Sequence, residues 1–364
     1  MAGRRRRRSA VRRLPWWGKT LLGVGALLLV LASGAIVYVN VMLDKVNDAL
    51  PNQCLLEDCD AYEPGEEING PLNFLMIGSD MRSDWSAAQS DSIMILHLDA
   101  ELSSANIVSV PRDLRVTIPD CDGGAPCEGS KINAAFSLGG RDMKKAVSSV
   151  AATLTELTGV KFDGAMMINF GGFRDVVEML GGVELCVPFD MYLEHPKNAQ
   201  GEKPFVEKGC KEYEPKLALG IVRERMAYDP TNPNWDEKYG IGDFGRQRMQ
   251  QHFVKQLLKR AKEQGYLTDV FKVGDLIESI GDQVLLDLKG RLVTDVAFAL
   301  TDLDASKLTT VKIPSESQTI GDTDFVVTQP GEQEEAAEAL YRAIREDDID
   351  SWVLTYPKWV NKSS

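Results

Sequence analysis

The chain has 364 residues, of which 44% are hydrophobic and 26% charged, and its formal net charge at pH 7 is −13. This length is sufficient for one large domain or two modest ones, with a hydrophobic core that is stable without disulfides or metal ions. The acidic balance disfavours binding to the phosphate backbone of nucleic acids.

The N-terminal region combines a basic segment with an apolar one. Residues 1–19 contain eight basic and no acidic residues, so the remainder of the chain carries a net charge of −21. Residues 20–43 contain no charged side chain. As a helix they would reach roughly 36 Å, which exceeds a hydrocarbon core of about 30 Å. We predict a cytoplasmic tail over 1–19, a single transmembrane helix over 20–43 and, by the positive-inside rule, an extracellular remainder.

Two alternatives for this region are a cleaved signal peptide and a nucleic-acid-binding arm. The apolar part of a signal peptide is about 7 to 15 residues long, which is shorter than the segment here. A basic arm would bring phosphates close to a strongly acidic remainder that repels them. We therefore favour an uncleaved anchor in the cytoplasmic membrane and expect no nucleic acid among the partners.

All six cysteines follow the predicted anchor. An even number outside the cell indicates disulfides, although six cysteines allow 15 pairings. Zinc is the alternative for closely spaced cysteines, but the chain has only three histidines and no set with tetrahedral-site spacing. The simplest pairing joins neighbours in sequence: Cys54 with Cys59, Cys121 with Cys127, and Cys186 with Cys210.

The segment after the anchor, residues 44–70, is polar, acidic and interrupted by prolines and glycine. These properties are typical of a short stalk, so we expect the folded domain to begin near Pro71. No repeat or second linker follows. The sequence therefore predicts one domain over 71–346 and a C-terminal tail over 347–364.

Short apolar runs alternate with helical patterns in this domain. The predicted strands are 72–80, 92–100, 106–113, 164–170, 183–188 and 308–315. The predicted helices are 132–159 with a break at Gly139 and Gly140, 171–180, 245–263, 273–288, 291–303 and 332–347. Residues 190–242 contain five prolines and predict loops. This alternation predicts an α/β domain with helices packed on a sheet, and ligands beyond the strand ends.

The helix predicted at 245–263 follows the start of the stretch GDFGRQRMQQ. At about 3.6 residues per turn, Arg246 and Gln250 share the stripe that continues into apolar positions, so both face inward. Arg248 is about 200° from Arg246 and is expected to face solvent. A helix N-terminus attracts anions, and an inward arginine strengthens this attraction. The alternative is a structural Arg246 paired with Asp243.

Further charged residues lie at predicted strand ends or in pairs. Arg112 follows a predicted strand, and Arg223 and Arg225 share one face if their segment is extended. Asp80 and Asp91 each lie at the edge of a predicted strand. Arginine forks, together with paired carboxylates that can hold Mg²⁺, suit the binding of a pyrophosphate.

Seven stretches resemble the LytR-CpsA-Psr family in their order: NFLMIGSDMR, SDSIMILHL, VSVPRD, KINAAF, INFGGFRDVVEMLGGVELCVP, VRER and GDFGRQRMQQ. The resemblance covers about residues 72–345. It implies a membrane-anchored protein whose extracellular α/β domain, a mixed sheet flanked by helices, binds polyprenyl pyrophosphate with the tail in an apolar channel. It also implies transfer of a phosphate-linked glycan from this carrier to a peptidoglycan hydroxyl, which attaches teichoic acid, capsule or arabinogalactan and releases polyprenyl phosphate.

The resemblance also implies residue roles. Asp80 and Asp91 match the carboxylates associated with Mg²⁺, for which Mn²⁺ is the alternative. The catalytic set that it implies is Asp80, Arg112, Arg223, Arg225 and Arg246. The substrate-binding set is Arg82, Lys131, Asp243 and Gln250. The proton acceptor stays open among Asp80, Asp113 and Asp243.

Two positions depart from the family pattern. Gln89 and Met249 each stand where the family has an arginine, which lowers the positive charge near the substrate.

Two other functions fit the sequence. A polyprenyl-pyrophosphate phosphatase would use the same residues with water as the nucleophile. A non-enzymatic membrane-bound regulator is the second alternative.

Overall fold

The structure is a computed structural model of the chain. It describes residues 53–80, 89–194, 201–225, 242–266, 269–304 and 307–361, except Asp58, Asp60 and Pro64, together with Val41, Leu43, Asp44 and Asn47. Residues 1–45 form one unit and residues 46–364 a second, which contains every element below.

The predicted membrane segment falls largely on positions for which no structure is described. The predicted tail at 1–19 lies outside the described residues, as does the predicted helix at 20–43 apart from Val41 and Leu43. Within the described ranges, no helix combines the length and apolar character needed to cross a membrane.

A six-stranded mixed sheet lies at the centre of the second unit. Its strands are β1 (Leu72–Ser79), β2 (Ser90–Leu98), β3 (Ala105–Val110), β6 (Gly164–Asn169), β11 (Val284–Asp287) and β12 (Thr309–Lys312). Their order across the sheet is β11, β6, β1, β2, β3, β12. The pairs β1–β6 and β3–β12 are parallel, and the other neighbours are antiparallel. The predicted α/β class with a mixed sheet is confirmed.

Four two-stranded ribbons accompany this sheet. They are β4 (Arg115–Asp122) with β5 (Ala125–Lys131), β7 (Val183–Val187) with β10 (Gly209–Tyr213), β8 (Met191–Tyr192) with β9 (Phe205–Val206), and β13 (Glu316–Ile320) with β14 (Thr323–Val327). Only β7 was predicted, because the β5 and β13 segments are polar and exposed and lack the apolar alternation that marks a strand. The β4–β5 turn places Gly123 and Gly124 at φ +62° and +94°, which glycine adopts without strain.

Helices cover the sheet. In the described ranges they are α1 (Ile132–Ser137), α2 (Met143–Thr158), α3 (Phe170–Met179), α4 (Pro215–Arg223), α5 (Gly242–Glu263), α6 (Val270–Ile280), α7 (Val293–Ala299), α8 (Glu332–Glu346) and α9 (Ile349–Thr355). The predicted break at Gly139 and Gly140 separates α1 from α2.

Two predictions of element type were wrong. The helix predicted over 273–288 ends at Ile280, and residues 284–287 form β11 instead. A short apolar run suits either structure, and pairing with β6 decides it. The region 190–242, predicted as loops, contains α4, β8, β9 and β10. Pro215 is not a breaker here, because it occupies the first turn of α4, where proline is favourable.

Both faces of the central sheet are buried. Leu75 and Ile77 pack with residues of α2 and α8, whereas Phe74 and Met76 pack in a second cluster with residues of α5 and α7. This division follows from the alternation of side chains along β1. Every residue of β3 is buried, and four of its six residues are apolar; of the two polar ones, Ser109 accepts a hydrogen bond from Gln251, whereas Asn106 Oδ1 has no hydrogen-bond partner.

Residues on either side of the predicted 71–346 domain also pack into its core. Leu55 and Leu56 are buried, and both backbone N–H groups donate to Asp287 Oδ2 at 2.8 Å. Trp352 and Trp359 are likewise buried in the cluster around α2. The folded unit therefore includes parts of the predicted stalk and of the predicted C-terminal tail.

The three predicted disulfides are confirmed. Each joins cysteines that are neighbours in sequence, Cys54 with Cys59, Cys121 with Cys127, and Cys186 with Cys210. The last one links paired positions on β7 and β10.

Candidate active site

A β-bulge places Asp91 at the end of the central sheet. Gly78 pairs with Ser92, but the next pair is Ser79 with Ser90, so Asp91 is an extra residue on β2. A bulge redirects the local side chain while the rest of the ladder keeps its register. Asp91 is thereby available at the strand edge, where the arginines described below contact it.

Asp80 follows β1 directly and has an oxygen without a partner. Its Oδ1 atom is buried and accepts no hydrogen bond. Burial raises the pKa of Asp80, the negative charge of Asp91 raises it further, and Arg223 opposes both effects. Two neighbouring carboxylates with an unsatisfied oxygen suit a divalent cation, because Mg²⁺ is commonly bound by one or two carboxylates together with substrate phosphates. The described part of the chain offers no group of three or more potential metal-ligating His, Cys, Asp or Glu residues.

Arg112, which follows β3 directly, connects the carboxylates. Its Nη1 atom donates to Asp91 Oδ1 at 3.2 Å. Its Nε atom is 3.5 Å from Asp113 Oδ2 and 3.8 Å from Asp243 Oδ1. The side chain is 15% exposed, so these charges interact with little screening by solvent.

Arg246 faces inward from the first turns of α5, as predicted, and is only 4% exposed. It forms an ion pair with Asp243, and its Nη1 atom is 3.9 Å from Asp91 Oδ1. Burial lowers the pKa of Arg246, and Asp243 opposes that effect. The structural pairing with Asp243 and the orientation toward the site are therefore both present.

The amide side chains of α5 complete this arrangement. Gln247 Nε2 donates to Asp243 Oδ2 at 2.8 Å, a contact that the sequence analysis missed although the spacing of four residues is that of helix neighbours. Gln250 is buried as predicted. Of ten buried side-chain polar atoms without a hydrogen-bond partner among the residues described, five lie here: Asp80 Oδ1, Arg112 Nε, Arg246 Nε, Gln247 Oε1 and Gln250 Oε1. Such a concentration indicates a place for a polar ligand, since buried polar groups are normally satisfied.

Two pockets meet at this point. An apolar pocket encloses about 660 Å³ of space, some of it open to solvent, and a polar pocket encloses about 600 Å³. The apolar pocket lies between β1, β2, β6, α3, α4 and α5, with linings such as Met76, Met166 and Phe253. Both pockets are lined by Asp91, Arg223 and Gln250.

Arg223 occupies the junction of the pockets. It is the last residue of α4, and its guanidinium carbon lies 3.9 Å from the centroid of the Phe170 ring. A cation–π contact at this distance holds the guanidinium in place. Phe170 was not predicted as a site residue, because a single aromatic residue between strand and helix carries no distinctive pattern.

Arg225 lines the polar pocket, but not through the extended segment that the spacing suggested. Arg223 is helical, and the extended residue Glu224 then turns the chain so that Arg225 also reaches the pocket. The Arg225 carbonyl accepts the N–H of Gly242 at 2.9 Å, which links this segment to the start of α5. The charge of Glu194, which also lines this pocket, is offset by Lys203 at 2.5 Å.

The remaining predicted residues lie at the margin or outside the described ranges. Lys131 Nζ is 2.9 Å from Asp113 Oδ1, so it reaches Arg112 through that carboxylate. Arg82 lies outside the described residues. Arg248 was predicted to face solvent, but it is half-buried, and burial lowers its pKa. Lys312 at the sheet edge lies close enough for the two positive charges to interact.

The sequence model described as the LytR_cpsA_psr family matches residues 38–342. The chain belongs to the LytR-CpsA-Psr family. The family predicted from the seven stretches is therefore confirmed, and the acidic and basic residues described above lie within the matched region.

Several curated proteins are similar to this LytR-CpsA-Psr chain. The probable cell wall biosynthesis protein LcpB of Corynebacterium glutamicum is 28% identical over 251 residues, 61% of this chain and 53% of LcpB. The teichoic acid transferase TagV of Bacillus subtilis is 27% identical over 56% of this chain and 47% of TagV. TagU of Bacillus cereus is 28% identical over 74% of this chain and 79% of TagU. The match thus spans about half the length of LcpB and of TagV.

Solved structures share the fold. Bacillus subtilis TagV superposes with a TM-score of 0.58 at 21% identity, covering 78% of this chain and 98% of TagV. A structure titled "TagT bound to LIIa-WTA" gives a TM-score of 0.58 at 19% identity, covering 79% and 92%. This likeness establishes the mixed α/β architecture of the LytR-CpsA-Psr fold.

Proposed function

We propose that this chain is a phosphotransferase that moves a phosphate-linked glycan from a polyprenyl-pyrophosphate carrier to a hydroxyl group of peptidoglycan. The observation that carries the proposal is the junction of an apolar and a polar pocket at Asp91, Arg223 and Gln250. A ligand that fills both must join a long apolar part to an anionic part. TagU and TagV are named polyisoprenyl-teichoic acid–peptidoglycan teichoic acid transferases, which supports this class of substrate.

The two pockets divide the carrier between them. The polyprenyl chain lies against the methionine and phenylalanine side chains of the apolar pocket, because burial of apolar surface favours it. The pyrophosphate lies in the polar pocket, where guanidinium groups match phosphate oxygens in bidentate geometry. The arginines that line it or contact its edge are Arg112, Arg223, Arg225 and Arg246.

A divalent cation fits beside these arginines. Asp80 and Asp91 are the carboxylates that would hold Mg²⁺, or Mn²⁺, and the unpaired Oδ1 atom of Asp80 supports this assignment. When bound, the cation supplies charge neutralisation at the phosphoryl oxygens. The protein contributes two carboxylates, which agrees with the preference of Mg²⁺ for sites shared with phosphates.

The reaction is a displacement at the phosphorus that carries the glycan. The acceptor hydroxyl oxygen forms a bond to this phosphorus, the bond to the bridging oxygen of the pyrophosphate breaks, and polyprenyl phosphate leaves. Arg112 and Arg246 stabilise the charge on the transferred phosphoryl group and the leaving phosphate. The hydroxyl proton passes to a carboxylate, for which Asp80, Asp113 and Asp243 are the candidates, and Asp113 and Asp243 are already paired with basic side chains.

The proposal includes the cellular location expected from the sequence. The basic tail stays in the cytoplasm, residues 20–43 anchor the chain in the cytoplasmic membrane, and the catalytic unit lies outside. The three disulfides support an oxidising compartment. The transferred glycan is of the class of teichoic acid, capsule or arabinogalactan.

The test uses the full chain in detergent with a polyprenyl-pyrophosphoryl glycan, peptidoglycan fragments and Mg²⁺. We expect glycan joined to peptidoglycan and an equal amount of polyprenyl phosphate. Arg112→Ala should abolish both products, because it removes the contacts to Asp91 and the phosphate-binding guanidinium. Arg342→Ala is the matched control, since Arg342 is exposed on α8.

Three results would contradict the proposal. Unchanged transfer by the Arg112→Ala variant would rule out the arginine site. Inorganic phosphate or glycan phosphate released to water, without attachment to peptidoglycan, would indicate a phosphatase. No turnover by the unaltered chain under any of these conditions would favour the non-enzymatic regulator.

A further inference from the structure

We propose a second anion site beside the candidate active site, which binds a carboxylate or phosphate group carried by a cell-wall glycan. We call it the basic-aromatic cluster, and it consists of Arg248, Lys312, Lys358, Phe244 and Trp359. It rests on the proposed function for the identity of the glycan, but its geometry and its test do not depend on transfer.

Aromatic rings hold the lysines of this cluster. Lys312, the last residue of β12, places Nζ 4.1 Å from the centroid of the Phe244 ring and 5.1 Å from that of Trp359. Lys358 Nζ also lies 5.1 Å from the Trp359 ring. Cation–π contacts fix an ammonium group without neutralising it. The positive charge therefore remains available to an anion.

The cluster lacks the carboxylates that positive groups normally acquire when they lose water. Among the contacts of the described residues, neither Lys312 nor Arg248 pairs with an acidic side chain, and Lys358 pairs with Glu332 at 3.2 Å. Burial, together with the positive charges of Arg248 and Lys358, lowers the pKa of Lys312 to about 8. Arg248 and Lys312 are therefore two partly buried cations without a carboxylate, and a bound anion would stabilise them.

The position of the cluster connects it with the active site and separates it from the apolar pocket. Phe244 follows Asp243, whose Oδ1 atom lies 3.8 Å from Arg112 Nε. Lys312 pairs with Ser109 near the end of β3, three residues before Arg112. On α5, Arg248 is about 200° around the helix from Arg246, which lines the polar pocket. The cluster therefore shares the first turns of α5 with the candidate active site but faces the other side of the helix, so a ligand there is not the polyprenyl chain.

The position of the cluster limits which chemical groups of the substrates can bind to it. Both reacting partners extend away from the phosphate as sugar chains, and either can carry an anionic group within reach. A carboxylate would come from the peptide part of the peptidoglycan acceptor, whereas a phosphate would come from the glycan being transferred. The shared chemistry is a monoanionic or dianionic oxygen group that accepts charge-assisted hydrogen bonds from lysine and arginine.

The experiment measures binding to the full chain in detergent, without polyprenyl carrier, by titration calorimetry. One arm uses N-acetylmuramyl dipeptide with free carboxylates and the same compound with its carboxylates amidated. The other arm uses a glycerol phosphate trimer and neutral glycerol. Lys312→Gln and Arg248→Gln should each weaken binding of the anionic probe of one arm by about tenfold. Binding of the neutral counterpart should not change.

Lys161→Gln is the matched control, because Lys161 is exposed and lies far along the chain from the cluster. Thermal unfolding checks that each variant is folded, and Lys358→Gln, at an exposed position, provides a second variant if Lys312→Gln does not fold. A loss confined to the dipeptide arm assigns the acceptor, and a loss confined to the phosphate arm assigns the transferred glycan. Equal binding by the variants and the unaltered chain in both arms would overturn the proposal that the cluster binds an anion.

Failure of this inference is distinguishable from failure of the proposed function. Transfer that depends on Arg112, together with variants that bind both probes normally, would retain the function and reject the cluster. Probe binding that depends on Lys312, together with a chain that transfers no glycan, would retain the cluster and reject the function.

Discussion

Positive charge is neutralised on one side of the first turns of α5 and left unneutralised on the other. On one side, Arg246 and Arg112 lie between Asp91, Asp113 and Asp243, so their charges are balanced before any ligand arrives. On the other side, Arg248 and Lys312 lie together, and aromatic rings rather than carboxylates contact the lysine. The first arrangement fixes the geometry of guanidinium groups, which catalysis requires. The second leaves charge unbalanced, which favours capture of an anion.

The largest test of this comparison exchanges the two arginines of α5 in turn. Arg246→Met leaves the Asp243 carboxylate without its closest cation in a buried setting, so we expect a loss of about 3 kcal/mol in the free energy of unfolding and no transfer. Arg248→Met removes an unpaired, half-buried charge, and the free energy of unfolding should change by less than about 0.5 kcal/mol. Denaturant unfolding of both variants measures the difference. Equal destabilisation would contradict the contrast between the two sides.

A smaller effect is expected at Gln247, which holds Asp243 from the helix side. Gln247→Leu removes the donor to Asp243 Oδ2 and should cost about 1 kcal/mol, because a buried acceptor loses one hydrogen bond. Transfer should fall through kcat more than through KM, since the Asp243–Arg246 pair would be less well oriented. Gln251→Leu is an unsuitable control, as its side chain bridges β3 and β12, so Gln318→Leu at an exposed position of β13 serves instead.

Asp80 provides a pH test on the balanced side. The raised pKa means that folding disfavours its ionised form, so the free chain loses stability as pH rises from the pKa of an unfolded aspartate through that of the folded one. Asp80→Asn removes this loss. The variant should therefore have the higher melting temperature near neutral pH, and the difference should vanish at acidic pH. A melting temperature that is lower than that of the unaltered chain at neutral pH would contradict the pKa assignment.

The smallest effect is expected from the titration of Lys312 on the unbalanced side. Its pKa is lowered to about 8, so binding of the anionic probe should weaken as pH rises through about 8. The charged groups near Lys312 are Arg248 of α5 and Lys358, which is paired with Glu332. Lys312→Arg should bind the probe with little change between pH 7 and 9. A parallel decline in the arginine variant would assign the pH dependence to another group.

Much of the site could be predicted because it lies on regular elements. Asp80 and Arg112 follow the apolar runs of β1 and β3, Asp91 precedes that of β2, and helical periodicity alone places Arg246 and Gln250 inward. The seven stretches in order specify the family because each combines site residues with neighbouring core residues. Periodicity therefore predicts the direction in which a side chain points within one helix or strand.

The remainder depended on contacts between elements. The apolar run of β11 is compatible with a helix until β6 offers it a pairing edge. Arg248 has a solvent-facing direction on a helical wheel, but in the folded chain it is half-buried and close to the charge of Lys312 on β12. Likewise, Phe170 acquires its role only because α4 ends with Arg223 above its ring. None of these contacts is encoded in the spacing of a single stretch.

The bulge at Asp91 has a consequence for how such a site arises in evolution. The ladder from Gly78 with Ser92 to Leu72 with Leu98 is unaffected by it. Deletion of a single residue there would let β1 and β2 pair regularly to their ends while the buried core remained the same. A change of one residue in chain length would thus add or remove the carboxylate that we assign to the metal, without a change in the ladder that carries the core.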